Sequence, residues 1–360
     1  MKQTERLAWI DSIRFIAAAV VAWYHFEAQY GGVTDMIRSL SPVLNFIFAD
    51  CEGKMAVAVF AVMLGYFAAS SAGKSTSMVY YTINRYVQFA LGIAMAELTI
   101  FAIRFTERIF PVEQTVPFVN SWFADVSLTE MAKKVLSDIF FMQYSFFPTL
   151  WCMRPFFIAS VLIYVFVKAK VSSVIVGIAM LICFLSFGGD DMFFLGICLM
   201  GLLLYRTLAW LEKHPQWQKV FRHPCGTLAC IILAMLLYQE FLSGSMHVRM
   251  FLFGLSSMLL IIACFYNTVL QKVLSLRPLV FLGKMSFGIY LFHAISYRVV
   301  VYLIFGALVT VMPRTALWIT LIAIYWLSTI VMAWMYTMIS GKLQKVIMKR
   351  FVDLKVKETF

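Results

Sequence analysis

Charge is what this chain has least of. Asp, Glu, Lys and Arg make up 13% of its 360 residues, and only 18 residues are acidic. Set beside 62% hydrophobic residues and a mean hydropathy of +0.86, that scarcity excludes a soluble enzyme and implies a polytopic membrane protein. No cleavable signal is expected: Met1 to Arg6 is short and charged, no A-x-A site follows, and the first apolar run is long enough to stay as an anchor. The seven cysteines include no C-x-x-C pair, so packing thiols are expected, with a Cys51–Cys152 disulfide the one outer pairing left open. There is no internal repeat, no low-complexity tract and no soluble domain at either end. P-loop, G-x-S-x-G and H-E-x-x-H signatures and metal-ligand spacings are all missing, so no metal is expected.

What the chain does have is apolar runs of spanning length. They fall near 7–27, 55–72, 86–103, 150–167, 171–187, 192–211, 225–242, 250–268, 279–304 and 315–339. The expected fold is an all-α membrane bundle of about ten transmembrane helices with both termini cytoplasmic. The positive-inside rule supports that count. Inner segments collect Lys74, Arg85, Lys168, Lys170, Lys213, Lys219, Arg222, Lys272, Arg277 and the tail lysines, whereas outer segments hold Arg38, Lys54, Arg104, Arg108, Lys133, Lys134, Arg249 and Arg314. An odd number of helices would spoil the bias. The same distribution accounts for the net charge of +12 without a nucleic-acid partner. Residues 1–341 read as one membrane module. Residues 342–360 read as a basic tail, a short helix after Ile339 lying on anionic lipid of the inner leaflet. The longest outer segment, 104–148, reads as a loop that contains a short interfacial or re-entrant helix and an apolar run, 139–147.

The first run, L-A-W-I-D-S-I-R-F-I-A-A-A-V-V-A-W-Y-H-F-E, places Asp11, Arg14 and His25 inside a hydrophobic helix. An ionisable side chain near the bilayer centre costs roughly 2.5–3.5 kcal/mol on insertion scales, so such residues usually line a cavity and act there. Eleven residues bring Arg14 and His25 to one helix face, about 16 Å apart. Asp11 precedes Arg14 by one turn and can pair with it. Small residues Ala17, Ala18, Ala19 and Ala22 lie between, leaving room for a neighbouring helix or a slender ligand. His25 titrates near neutrality and is the natural general base or acid. The structural alternative is a histidine bonded across helices.

Ser286, Tyr290, His293 and Tyr297 follow at i, i+4, i+7 and i+11, one polar face of the ninth run. Two histidine stripes suggest a shared polar chamber; the plainer reading is a hydrogen-bonded helix seam. Arg85, beside Asn84 in the loop between the second and third runs, can meet phosphates from the cytosol or serve topology alone. Trp151 and Arg154 open the fourth run, where a Trp usually anchors at the interface. Gly65 offers the second run a close packing point.

I-D-S-I-R-F-I-A-A-A-V-V-A-W-Y-H resembles the opening signature of the membrane acyltransferase-3 family, an Asp and Arg followed by ten residues and His. V-F-A-V-M-L-G-Y-F, W-C-M-R-P-F-F and L-G-K-M-S-F-G-I-Y-L-F-H follow in family order, so the resemblance covers nearly the whole chain. Two positions depart from the pattern. Leu64 stands where serine is usual, and Gln88 where a second arginine is, so Arg85 carries over alone.

The resemblance implies an integral membrane O-acyltransferase. Its donor would be a cytosolic acyl-CoA, commonly acetyl-CoA, and its acceptor a hydroxyl of a sugar in an envelope glycan or lipid-linked precursor. It would be a multi-pass protein of the cell inner (plasma) membrane, in contact with membrane lipids. His25, with Arg14 and Asp11, would form the catalytic set, Arg14 and Arg85 would hold the donor, and Trp151, Ser286, Tyr290 and His293 would seat the acceptor or the oxyanion. A transporter or flippase, its polar stripes lining a substrate path, is the reading from another class. A third is a relative that binds acyl-CoA or lipid as a sensor, without chemistry.

Overall fold

The described residues of the ten apolar runs lie mainly on helices in a computed structural model of the chain, which describes residues 8–40, 53–75, 77–109, 126–146, 148–186, 189–238 and 245–357. In chain order come α1 (Ala8–Gln29), α2 (Gly32–Leu40), α3 (Gly53–Lys74), α4 (Met78–Ile109) and α5 (Leu128–Phe141). After a single 3₁₀ turn at Pro148–Leu150 follow α6 (Met153–Lys168), α7 (Ser173–Leu185), α8 (Gly189–Glu212), α9 (Pro215–Arg222), α10 (Pro224–Tyr238) and α11 (Met246–Tyr266). The chain continues through α12 (Thr268–Leu274), α13 (Arg277–Lys284), α14 (Ser286–Ile295), a π-helical segment (Ser296–Val301), α15 (Tyr302–Leu308) and α16 (Arg314–Lys357). There is no strand among the described residues. Six stretches of them are long and apolar enough to cross a membrane: Gly53–Lys74, Met78–Ile103, Gly189–Glu212, Met246–Tyr266, Ser286–Leu308 and Arg314–Phe351. The pair α9 and α10, bent by 72°, makes a seventh if it is one span. The architecture is that of a polytopic helical membrane protein.

Local chemistry sets the helix ends. Ser127, Ser172, Ser245 and Asn267 each cap a helix by accepting the backbone N–H three residues on. The short helix expected within 104–148 is α5, which Ser127 starts and Met142, in a left-handed conformation, stops inside the apolar run. Two expectations change. The tail helix is not separate: α16 runs on past Ile339 to Lys357, since the residues beyond include no proline and many good helix formers. The ninth run is interrupted at Met285, between α13 and α14. Cys51 lies outside the described residues, as do Pro111 and Pro117.

The chain divides into two compact units. The first comprises Met1–Ala17, Lys54–Arg85 and Cys152–Gly283, the second Ala18–Gly53, Tyr86–Trp151 and Lys284–Phe360.

In the first unit α8 packs against α6, α7 and α11, and α11 pairs with α10, where the Ser256 hydroxyl donates to the Ala234 carbonyl at 2.9 Å. Helices α3 and α8 meet backbone to backbone. A Cβ on Gly65 would stand 1.9 Å from the Cys198 carbonyl oxygen, and one on Gly201 2.2 Å from that of Val62. The start of α1 is held as tightly. A Cβ on Gly283 would meet the Asp11 carbonyl oxygen at 2.2 Å, and the Ser12 hydroxyl donates to the Leu274 carbonyl. Met285 leaves the helical conformation (φ −98°, ψ 1°), which divides the ninth run into α13 and α14.

In the second unit α14 lies on α16 through Gly288, whose Cβ would fall 2.8 Å from the Ala333 backbone. The C-terminal half of α1 is fixed by aromatic hydroxyls. Tyr325 donates to the Ala22 carbonyl (2.6 Å) and its ring stacks on Phe26 at 4.4 Å. Tyr30 donates to the Tyr297 carbonyl (2.7 Å). Such interhelical bonds in membranes contribute about 0.6 kcal/mol each on average, so they serve geometry more than stability.

Candidate active site

Helix α1 is unbroken from Ala8 to Gln29, so Asp11, Arg14 and His25 keep helical spacing. In the second unit, the His25 imidazole stacks on that of His293, with ring centroids 5.3 Å apart and planes inclined by 25°. Tyr24 meets the His25 ring edge-on at 5.3 Å. His293 is fully buried. Its Nδ1 lies 2.7 Å from the Tyr290 carbonyl; a carbonyl can only accept, so that nitrogen carries the proton. Nε2 of His293 then has its lone pair available, and no hydrogen-bond partner stands opposite it among the described residues.

Tyr290 joins this cluster from both ends. Its ring is 6.0 Å from that of His293, and its hydroxyl donates to the Thr149 carbonyl. Trp151 follows Thr149 by two residues, at the end of the 3₁₀ turn. Ser286, one turn before Tyr290, is fully buried with no hydrogen-bond partner for its hydroxyl among the described residues. A buried hydroxyl without a partner is costly unless something else uses it.

Beyond His293 the helix widens into the π segment. Widened turns of this kind release backbone groups and often mark functional positions. Here the Tyr297 carbonyl is taken by Tyr30. The Arg298 guanidinium lies 5.5 Å above the Tyr297 ring, its Nε donates to the Tyr297 hydroxyl (3.1 Å), and Tyr297 is 6.2 Å from His293, centroid to centroid. The cluster thus gathers two imidazoles, the Tyr24, Tyr290 and Tyr297 rings and a guanidinium, with the buried Ser286 hydroxyl earlier on the same helix. It can accept a proton, orient a hydroxyl and face developing negative charge.

The remaining candidates belong to the first unit. Arg14 pairs with buried Asp11 across one helical turn, at 3.9 Å. Arg85 donates to the Ser71 hydroxyl (3.3 Å) and lies 5.4 Å over the Tyr81 ring. Tyr81 in turn donates to the Ser160 carbonyl (3.3 Å). The two arginines are thus held by different partners. Arg154, at the opening of the fourth run, pairs with Asp191 at 2.6 Å, beside a Lys54–Asp190 pair at 3.1 Å. Its role is to tie the starts of α6 and α8, with Lys54 doing the same for α3 and α8.

A family model for an acyltransferase domain, acyltransferase-3, matches residues 7–337. The chain belongs to the acyltransferase-3 family. No curated protein and no solved structure matches it. The match takes in His25, His293 and every helix between them. The protein is therefore a membrane acyltransferase, and the polar cluster of its second unit lies inside the domain that defines the family. The sequence left out Tyr30, Thr149, Tyr325 and Arg298. Arg298 carried a signal, as an arginine within an apolar run. The other three act through backbone carbonyls and left none.

Proposed function

We propose that this acyltransferase moves an acyl group, acetyl first among the candidates, from cytosolic acyl-CoA to a sugar hydroxyl of an envelope glycan or its lipid-linked precursor. The reading places it in the cell inner (plasma) membrane with ten crossings and both termini in the cytosol. The observation that supports it most is the continuity of α1. Helix α1 carries Arg14 and, eleven residues further on, His25, a rise of about 16 Å along an α-helix. A donor with anionic phosphates at one end and a thioester on a slender arm suits such a spacing. Arg14 and Arg85 take the phosphates, and Asp11 orients Arg14.

At the thioester, His25 removes the proton of the acceptor hydroxyl as its oxygen attacks the carbonyl carbon. The new C–O bond forms, the C–S bond breaks, and the CoA thiolate leaves with the proton returned from His25. Ser286 faces the oxyanion or seats the acceptor, and His293, whose Nε2 can only accept, seats the acceptor hydroxyl, with Tyr290 and Trp151 framing it. Attack by His25 itself, giving an acyl-imidazole, is the covalent variant of the same assignment.

Arg85→Ala tests the donor half. Loss of one charge-assisted hydrogen bond should raise KM for acetyl-CoA roughly tenfold or more while kcat changes little. Steady-state kinetics of the purified protein reads this directly. A fall in kcat at unchanged KM would remove Arg85 from the donor site.

A further inference from the structure

A second set of ionisable groups lies in the same unit and has no part in the chemistry above. Glu97, in the middle of α4, and Asp138, near the end of α5, are both fully buried. The Asp138 carboxyl is a side-chain neighbour of the Glu97 carboxyl within hydrogen-bonding reach, and the Phe146 backbone borders Glu97. Neither Glu97 oxygen finds a donor at hydrogen-bond geometry among the described residues. Asp138 is better supplied: it accepts the Ser145 N–H at 2.6 Å and the Ser145 hydroxyl at 2.9 Å. Lys134, the cation one turn before Asp138, is engaged by Glu130 at 3.5 Å and lies 5.8 Å over the Phe146 ring.

Two carboxylates in contact and shut off from water repel strongly, and a shared proton turns that repulsion into a short, charge-assisted O–H···O bond. We infer that Glu97 and Asp138 hold one proton between them and act as a latch that positions Tyr290 and, through it, His293. Glu97 donates to the Asp138 carboxylate, which keeps its other lone pairs for Ser145. Ser145 and Thr149 are four positions apart, and the Thr149 carbonyl is the acceptor of the Tyr290 hydroxyl. The Tyr290 carbonyl receives Nδ1–H of His293. The latch therefore fixes the chain segment that sets the orientation of one imidazole of the stack. Glu97 and Asp138 are positioning residues; neither is placed against the acyl group.

The kinetic part of this inference rests on the proposed acyl transfer, so its test has a readout that does not. Infrared difference spectra of the purified full chain, wild type minus Glu97→Gln at neutral pH, should show the carbonyl band of a protonated carboxylic acid that exchanges slowly in D₂O. Glu97→Gln can still donate an N–H to Asp138 and should keep kcat within about twofold, whereas Glu97→Met leaves Asp138 without that donor and should lose about tenfold or more in kcat at unchanged KM for acyl-CoA. Absence of the acid band overturns the shared proton, whatever the activity. A Gln variant as impaired as the Met variant overturns the latch. If Glu97→Met fails to accumulate, the band and the Gln variant decide. A wild type that shows the band but consumes no acyl-CoA supports the shared proton and counts against the transfer reaction instead.

Discussion

His25→Ala loses acyl transfer by a factor of about 10²–10⁴, the usual contribution of a positioned general base. It should do so without unfolding. Among the described residues His25 makes only ring contacts, with Tyr24 and His293, while the hydrogen bonds that fix this half of α1 belong to Tyr30 and to the Ala22 carbonyl. Thermal unfolding in detergent should therefore change little, and acyl-CoA binding, assigned to Arg14 and Arg85, should persist. His293 is the control. With Nδ1 committed to the Tyr290 carbonyl, it has one nitrogen for chemistry and a fixed orientation, which suits a seating role. Full activity in His25→Ala beside an inactive His293→Ala would move the base to the other ring of the stack.

Gly65→Ala is expected to be among the most damaging small substitutions in the first unit. Its methyl carbon would stand 1.9 Å from the Cys198 carbonyl oxygen and 3.0 Å from the Gly201 backbone. The obstruction is helix backbone on both sides, which cannot rotate away as a side chain would. Overpacking of a core costs typically about 1–3 kcal/mol, and a clash of backbone against backbone belongs at or beyond the top of that range. Gly201→Ala meets the same crossing from the other helix and should behave alike. Gly177→Ala is the internal comparison: nothing lies within 4 Å of the added carbon, and alanine is the better helix former, so stability should hold or rise slightly. Unfolding followed in detergent separates them. Equal stability of Gly65→Ala and Gly177→Ala would mean that α3 and α8 do not cross as closely as described.

The sequence revealed the parts of this protein that violate the solvent around them. Asp11, Arg14 and His25 stood out because ionisable groups are rare in an apolar run, and the face of α14 stood out because four polar residues recur at helical spacing. By the same logic Glu97 and Arg298 were legible, each an ionisable group within a run. What could not be read was which distant groups they meet. His25 and His293 stack across most of the chain length, and Glu97 finds Asp138 on a helix that read as part of a loop. The approach of Gly283 to the Asp11 backbone joins segments far apart in sequence. Helix α16 continues because hydropathy ends at Ile339 but helix propensity does not. The π segment after His293 has no counterpart in composition or periodicity. It is recognised only by its hydrogen-bond pattern and by Tyr30 occupying the Tyr297 carbonyl.

The most direct test of the account is donor turnover by the detergent-purified wild-type protein, given acetyl-CoA labelled in the acetyl group together with a sugar acceptor. The account predicts that free CoA thiol appears in step with transfer of the label to a hydroxyl ester. A folded sample that neither binds nor consumes acetyl-CoA or any longer acyl-CoA would contradict it.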